Sequence, residues 1–170
     1  MEKSGLRVDP MFTLDGIRKF HAWTHQSLTL LFDHLDILPA AAYVQEIPGF
    51  GYPSIHAQVI HLLGCEPRWI SRLEGHPVLW DPTPWQTLTD ARALQGESRA
   101  RTIDYLAGLT EQRLNTPAEI QFSDTDILVR TPAHILHHVF THAFHHKGQI
   151  VAMCRILGHP APLTDLFGFE

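Results

Sequence analysis

Residues 131–150 read TPAHILHHVFTHAFHHKGQI, and this stretch decides the fold. Thr131 can cap a helix, and Pro132 suits the first helical position, where its missing N–H costs nothing. Leu136, Val139, Ala143, Ile150, Met153 and Leu157 then follow at helical spacing, and Gly158 with Pro160 closes the segment. The result is a long helix with an apolar face.

The same periodicity recurs upstream. Ile17, Phe20, Thr24, Leu28, Leu31, Leu35 and Leu38 form one face of a first helix from about Thr13, stopped by Pro39. Ser54 is placed to cap a second helix carrying Ile55, Val59, Leu62, Leu63, Trp69, Ile70 and Leu73, ending at Gly75. Pro67 inside it removes a donor and is expected to kink the helix near Leu63. A third helix is expected over Leu88 to Leu114, with Leu94, Tyr105, Leu106 and Leu109 inward, and exposed or broken near Gly96. Ile120 and Phe122, a polar turn over 123–126, then Ile127 and Val129 predict a short hairpin. Four helices make the expected fold all-α: a four-helix bundle, residues 1–170 as one domain, with a β-hairpin insertion before the last helix.

Composition narrows the function. The chain has 170 residues, 44% hydrophobic and 18% charged, a globular balance. A net charge of −5 gives no basic face for nucleic acid. No apolar run is long enough to span a membrane, and Met1 to Pro10 lacks the apolar stretch of a secretory signal. Cys65 and Cys154 suggest neither a disulfide framework nor a thiolate cluster, so a reducing cytoplasmic setting is expected. Histidine is out of proportion: there are 13, equal to Lys and Arg together, and protonating all of them would move the charge from −5 to +8.

Six of these fall between His134 and His146. Residues four apart share a helix face, so His142 and His146 can clamp one cation. His138 and His142 form an alternative clamp, although His138 also suits a supporting position. Two ligands do not make a tight site, and a third must come from another helix. His61 is the strongest candidate, because an imidazole among Val59, Ile60, Leu62 and Leu63 needs a partner. A histidine in such surroundings is ordinarily a hydrogen-bonded core residue, and the metal is the competing explanation. His21, His25, His34, His56, His76 and His159 are assigned to surface or loop positions, and the two cysteines to the apolar interior.

The run His142-Ala143-Phe144-His145-His146-Lys147-Gly148-Gln149-Ile150, with His61-Leu62-Leu63-Gly64-Cys65-Glu66 and Trp69 upstream, resembles the DinB-like (DinB/YfiT) superfamily along nearly the whole chain. The resemblance implies a four-helix bundle, commonly a homodimer. It also implies a divalent metal, zinc or nickel, held by His61, His142 and His146. Gly148 would allow close helix packing and Gln149 would give polar support. Lys147 stands where many relatives have Arg, which weakens any bidentate contact to carboxylate or phosphate. Pro67, one turn beyond His61, bears on how that ligand is presented.

The best understood relatives resemble thiol transferases, in which the metal holds a low-molecular-weight thiol as thiolate and directs it at an electrophile. A metal-dependent thiol S-transferase is therefore the leading expectation. His138 and Glu66 are its candidates for proton handling, and a small-molecule thiol is its partner, with no nucleic acid and no membrane. A metal-dependent hydrolase, and a non-catalytic metal-binding or structural stress protein, are the alternatives. Trp80 and Trp85 are expected to be exposed and available to a dimer.

Overall fold

The four long helices each start at a residue whose side chain takes up a backbone N–H of the first turn. Thr13 accepts from Gly16, Ser54 from Ala57, Thr131 from His134, and Thr87 from Asp90 in a reciprocal capping box. In the computed structural model, which describes residues 12–84 and 86–169, the helices are α1 (Leu14–Leu35), α2 (Ala40–Val44), α3 (Ile55–Leu73), α4 (Leu88–Ala107), α5 (Glu111–Asn115) and α6 (Pro132–Ile156). Strands β1 (Ala118–Gln121) and β2 (Ile127–Arg130) pair antiparallel between α5 and α6. α1, α3, α4 and α6 form the bundle: α3 and α1 each pack against both α4 and α6. None of the described helices is long and apolar enough to cross a membrane. Trp85 and the segment Met1 to Pro10 lie outside the described residues.

The apolar interior falls into two clusters. One gathers Leu28, Leu31, Phe32, Val59, Leu62, Leu94, Ile150 and Met153. The other gathers Ile17, Ile70, Leu106, Leu136, Val139 and Phe140. Truncating such a side chain to alanine costs about 2–5 kcal/mol. Along α1, the residues between Ile17 and Leu28 that turn inward are polar: His21, Thr24, His25 and Ser27 are all buried. Along α4, Gln95, Ser98 and Thr102 are buried between Leu94 and Leu106. A polar layer thus crosses the bundle between its two apolar halves.

Several expectations need correction. The third long helix ends at Ala107 with Gly108 as its cap, because Thr110 starts the separate turn α5 by accepting from Arg113 N. It continues unbroken through Gly96, and Tyr105 and Leu109 are only partly buried. Of the hairpin's apolar side chains, Ile120 is buried while Phe122, Ile127 and Val129 are exposed. Phe122 stacks on Trp69 at 5.8 Å, and its carbonyl accepts from Arg72, which fastens the hairpin to α3. α3 runs as one helix through Pro67.

Trp80 is not a surface residue awaiting a partner. It packs against the first apolar cluster and over Gly64, where an added Cβ would lie 2.3 Å from the indole. Gly64 is therefore what lets the loop after α3 lie down on the helix. Gly148 has no such role, since a Cβ there would meet nothing within 4 Å. Lys147 is buried, and its Nζ donates to Ser27 Oγ at 3.0 Å and to the Thr164 carbonyl at 2.6 Å. It ties down the chain after α6 and is not presented to a substrate anion.

Candidate metal centre

His61 of α3 and His142 and His146 of α6 come together where these two helices pack. Each offers one ring nitrogen, and the three lie within 4.8 Å of one another. His61 Nε2 and His142 Nε2 are 3.1 Å apart. The ring centroids are 4.4 Å apart for His142 and His146, and 4.5 Å for His61 and His146. The i, i+4 spacing on α6 supplies two of the nitrogens and a helix from another part of the chain supplies the third.

Protonation decides whether such a cluster can take a cation. Burial, reinforced by the other imidazoles, pushes His142 down to about 3 and His146 down to about 4. Burial also lowers His61, with the Arg68 guanidinium adding to the effect. All three are neutral at pH 7, so each ring has one nitrogen with a lone pair and none repels a cation.

Gln58 fixes the tautomer of His146. Its Nε2 donates to the Tyr52 carbonyl at 3.0 Å and to Gln149 Oε1 at 2.6 Å. The carbonyl can only accept, so the other end of the amide is the oxygen, and Gln58 Oε1 accepts from His146 Nδ1 at 2.6 Å. With the proton on Nδ1, His146 Nε2 is left as a lone pair for the cluster. Gln149 passes the chain on, its Nε2 donating to His145 Nε2 at 2.7 Å. Tyr52 stacks on His61 with centroids 3.9 Å apart. His142 Nδ1 is buried without a hydrogen-bond partner among the described residues, an atom that a cation on its other nitrogen would leave equally unpaired.

Donor type, neutrality and convergence all fit a divalent transition ion. Three imidazoles are one ligand short of the closed four-ligand set of a structural zinc site. Of the three histidines, His61 lines a cleft of about 580 Å³, together with Tyr52, His56, Arg68, Trp80 and Gln86.

His138 and Glu66 part company. His138 lies beside the cluster: its ring is 5.8 Å from that of His142 and 5.8 Å, edge to face, from Trp69. It is outside the converging set, and burial with His134 nearby lowers its pKa. Glu66 faces elsewhere, since five residues beyond His61 is about 140° around the helix. Its carboxylate accepts from His21 Nε2 at 2.9 Å and from His25 Nε2 at 3.0 Å. His21 and His25 are therefore not surface residues, being 2% and 3% exposed. The spacing 17, 21, 24, 28, 31, 35 puts His21 on the inward stripe, a signal the amphipathic reading of α1 passed over. Gln58 was also passed over; it lies four residues after the Ser54 cap, and only its partners across the helix interface reveal its role.

Fold and clusters together define a helical bundle with histidine-based groups able to hold a metal ion. The DinB family model matches residues 11–170, and the chain belongs to that family. Among curated proteins it is similar to Protein DinB of Bacillus subtilis (strain 168), 28% identical over 164 residues, covering 86% of this chain and 87% of that protein. It is also similar to the uncharacterized protein YizA of the same organism, 28% identical over 108 residues, covering 63% of this chain and 67% of YizA. Among solved structures, a DinB-like protein from Bacillus cereus ATCC 10987 shares the fold with a TM-score of 0.59 at 19% identity, covering 88% of this chain and 95% of that one.

Proposed function

We propose that the chain is a metal-dependent thiol S-transferase, in which His61, His142 and His146 hold a divalent ion, zinc or nickel, at the wall of the cleft. The observation that carries the reading is the convergence of three neutral imidazoles beside an open cleft, one of them held in the ligating tautomer by Gln58. When bound, a divalent ion would lower the pKa of a thiol, or of water, enough to supply a nucleophile at neutral pH.

The chain's own thiols are unsuited to that part. Cys65 and Cys154 are buried, and burial pushes them up to about 12 and about 11. The reacting thiol therefore comes from a small molecule. Arg68 lines the cleft with its guanidinium carbon 5.2 Å from the Trp80 ring, held by donation from Nε to the Gly64 carbonyl at 2.6 Å. This leaves the rest of the fork to meet a carboxylate on the incoming thiol. His138, beside His142 and neutral at pH 7, is the group placed to take up the thiol's proton. Two free buried cysteines are consistent with a reducing compartment.

The test is conjugation of a panel of low-molecular-weight thiols to an aromatic halide by untagged protein reloaded with zinc or nickel. Metal-dependent turnover, lost in His142→Ala, supports the reading. Turnover of an activated ester with no thiol consumed would replace the transferase by the hydrolase. Metal retention with neither reaction would leave a binding protein.

A further inference from the structure

The polar layer between the two apolar halves holds a second group of metal-ligating side chains. His21 and His25, one turn apart on α1, direct their Nε2 atoms at the two oxygens of Glu66 on α3, at 2.9 and 3.0 Å, with a further approach of 3.3 Å from His25 to Oε1. The three candidate ligand atoms lie within 4.8 Å of one another. Ligands bound at about 2.0–2.2 Å around one ion stand roughly 2.9–3.5 Å apart at angles near 90–110°. The histidine–carboxylate pairs already have that spacing.

The electrostatics also ask for a cation. Glu66 is 13% exposed, and among the described residues no Lys or Arg contacts its carboxylate in an ion pair. Burial alone would raise its pKa, but the hydrogen bonds and charges of His21 and His25 outweigh this and hold the carboxyl well below its ordinary range. A buried carboxylate carries a desolvation penalty unless compensated. Compensation here comes from a proton on one imidazole or from an ion.

The layer also has spare ligating and hydrogen-bonding capacity. His25 Nδ1, Ser98 Oγ and Thr102 Oγ1 are buried without hydrogen-bond partners among the described residues. Arg18 donates to the Leu106 carbonyl and Gln95 to the His25 carbonyl, so α1 and α4 run antiparallel. That register sets Ser98 and Thr102 level with the span from His21 to Thr24. Two cavities between α1 and α4, of about 500 and 340 Å³, reach His25 and His21 respectively and share Ala22 and Arg99 in their walls. His21 and His25 thus border the α1–α4 groove, and Glu66 lies on a different side of α3 from His61.

We propose that His21, His25 and Glu66 form a second, separate binding site for a divalent transition-metal ion, distinct from the three-imidazole centre in carrying one negative charge. Two imidazoles and a carboxylate suit zinc, iron or cobalt. On binding, the ion takes both Nε2 lone pairs and a Glu66 oxygen. The Nε2 proton of a neutral ring then moves to its Nδ1, and a ring carrying both protons releases one to solvent.

The experiment is a cobalt(II) titration of untagged, metal-free full-length protein, read by equilibrium dialysis and visible absorption. Wild type is expected to bind two equivalents, His142→Ala one, Glu66→Gln one, and the double variant none. One equivalent in wild type, lost in His142→Ala and unchanged in Glu66→Gln, would overturn the proposal and leave the cluster a hydrogen-bonded structural element. One equivalent lost in Glu66→Gln but kept in His142→Ala would uphold this site while sinking the three-imidazole centre. Should Glu66→Gln lose its helical circular dichroism, the one equivalent expected in His142→Ala, against none if only the first centre binds, decides the matter.

Discussion

Two histidine pairs with identical i, i+4 spacing have become different objects in this bundle. His142 and His146 meet a third imidazole at the wall of a cleft, and nothing in that cluster carries charge at neutral pH. His21 and His25 meet a carboxylate in a buried polar layer, where the imidazoles offset an anion. The difference teaches that spacing supplies only the two teeth of a clamp. What faces them across the helix interface sets the charge, the tautomer and the access of solvent, and hence the chemistry.

The largest effect expected from breaking this comparison is on metal retention. His142→Ala removes a ligand outright and should abolish retention at the three-imidazole centre, with thiol conjugation falling at least ~100-fold. Elemental analysis and single-substrate kinetics check both, and the Glu66 cluster should be unaffected. Gln58→Leu keeps all three imidazoles but frees the tautomer of His146. Metal affinity there should fall by about 10–100-fold, the usual cost of losing an outer partner, as read by competition with a chromophoric chelator.

Acid separates the two clusters by pH. In metal-free protein His142 and His146 have folded pKa values of about 3 and about 4, below the ordinary value of 6.5. Their contribution is fully present above pH 6.5 and is lost as pH falls toward about 4 for His146 and about 3 for His142, because the unfolded chain takes up protons that the native state refuses. Glu66 is depressed from 4.5, so its contribution persists above that value and is lost only in more acidic solution. Melting temperature against pH should therefore decline in two stages, and His142→Ala should flatten the upper one. A single decline below pH 4.5 that the variant does not alter would contradict the assignment of neutral imidazoles.

Glycine substitutions give the smallest effects and opposite signs. Gly64→Ala places a methyl 2.3 Å from Trp80 and should destabilise by about 1–3 kcal/mol, loosening the loop that walls the cleft. Gly148→Ala meets nothing and lies inside α6, so it should stabilise by about 0.5–1 kcal/mol and leave metal binding unchanged. Thermal melts of the two variants measure both.

Much of this molecule was legible in its sequence, for identifiable reasons. The Thr-Pro start and Gly-Pro end of α6 are local signals, and the helix ran where they said. Six histidines within 13 residues drew attention to the cleft-side cluster, and His61 stood out by its apolar neighbours. The second cluster was harder to see, because two histidines on an amphipathic helix look like solvated residues until the residue across the interface is known. The five-residue step from His61 already turns Glu66 away from that ligand, but its partners His21 and His25 on α1 are visible only in the folded chain. Gln58 could not be read at all, as its role depends on three contacts, to Tyr52, Gln149 and His146, that exist only in the folded chain. Lys147 drew attention only as a weaker stand-in for Arg toward an anion, because its anchors, Ser27 and Thr164, lie 120 residues before it and 17 after it.

The most direct test of the central claim is elemental analysis of untagged protein dialysed against zinc or nickel, wild type beside His61→Ala, His142→Ala and His146→Ala. Each substitution is predicted to remove one equivalent of metal relative to wild type while leaving the helical content intact. Wild type that retains the same metal as all three variants, or none with a melting temperature indifferent to added zinc and nickel, would contradict it.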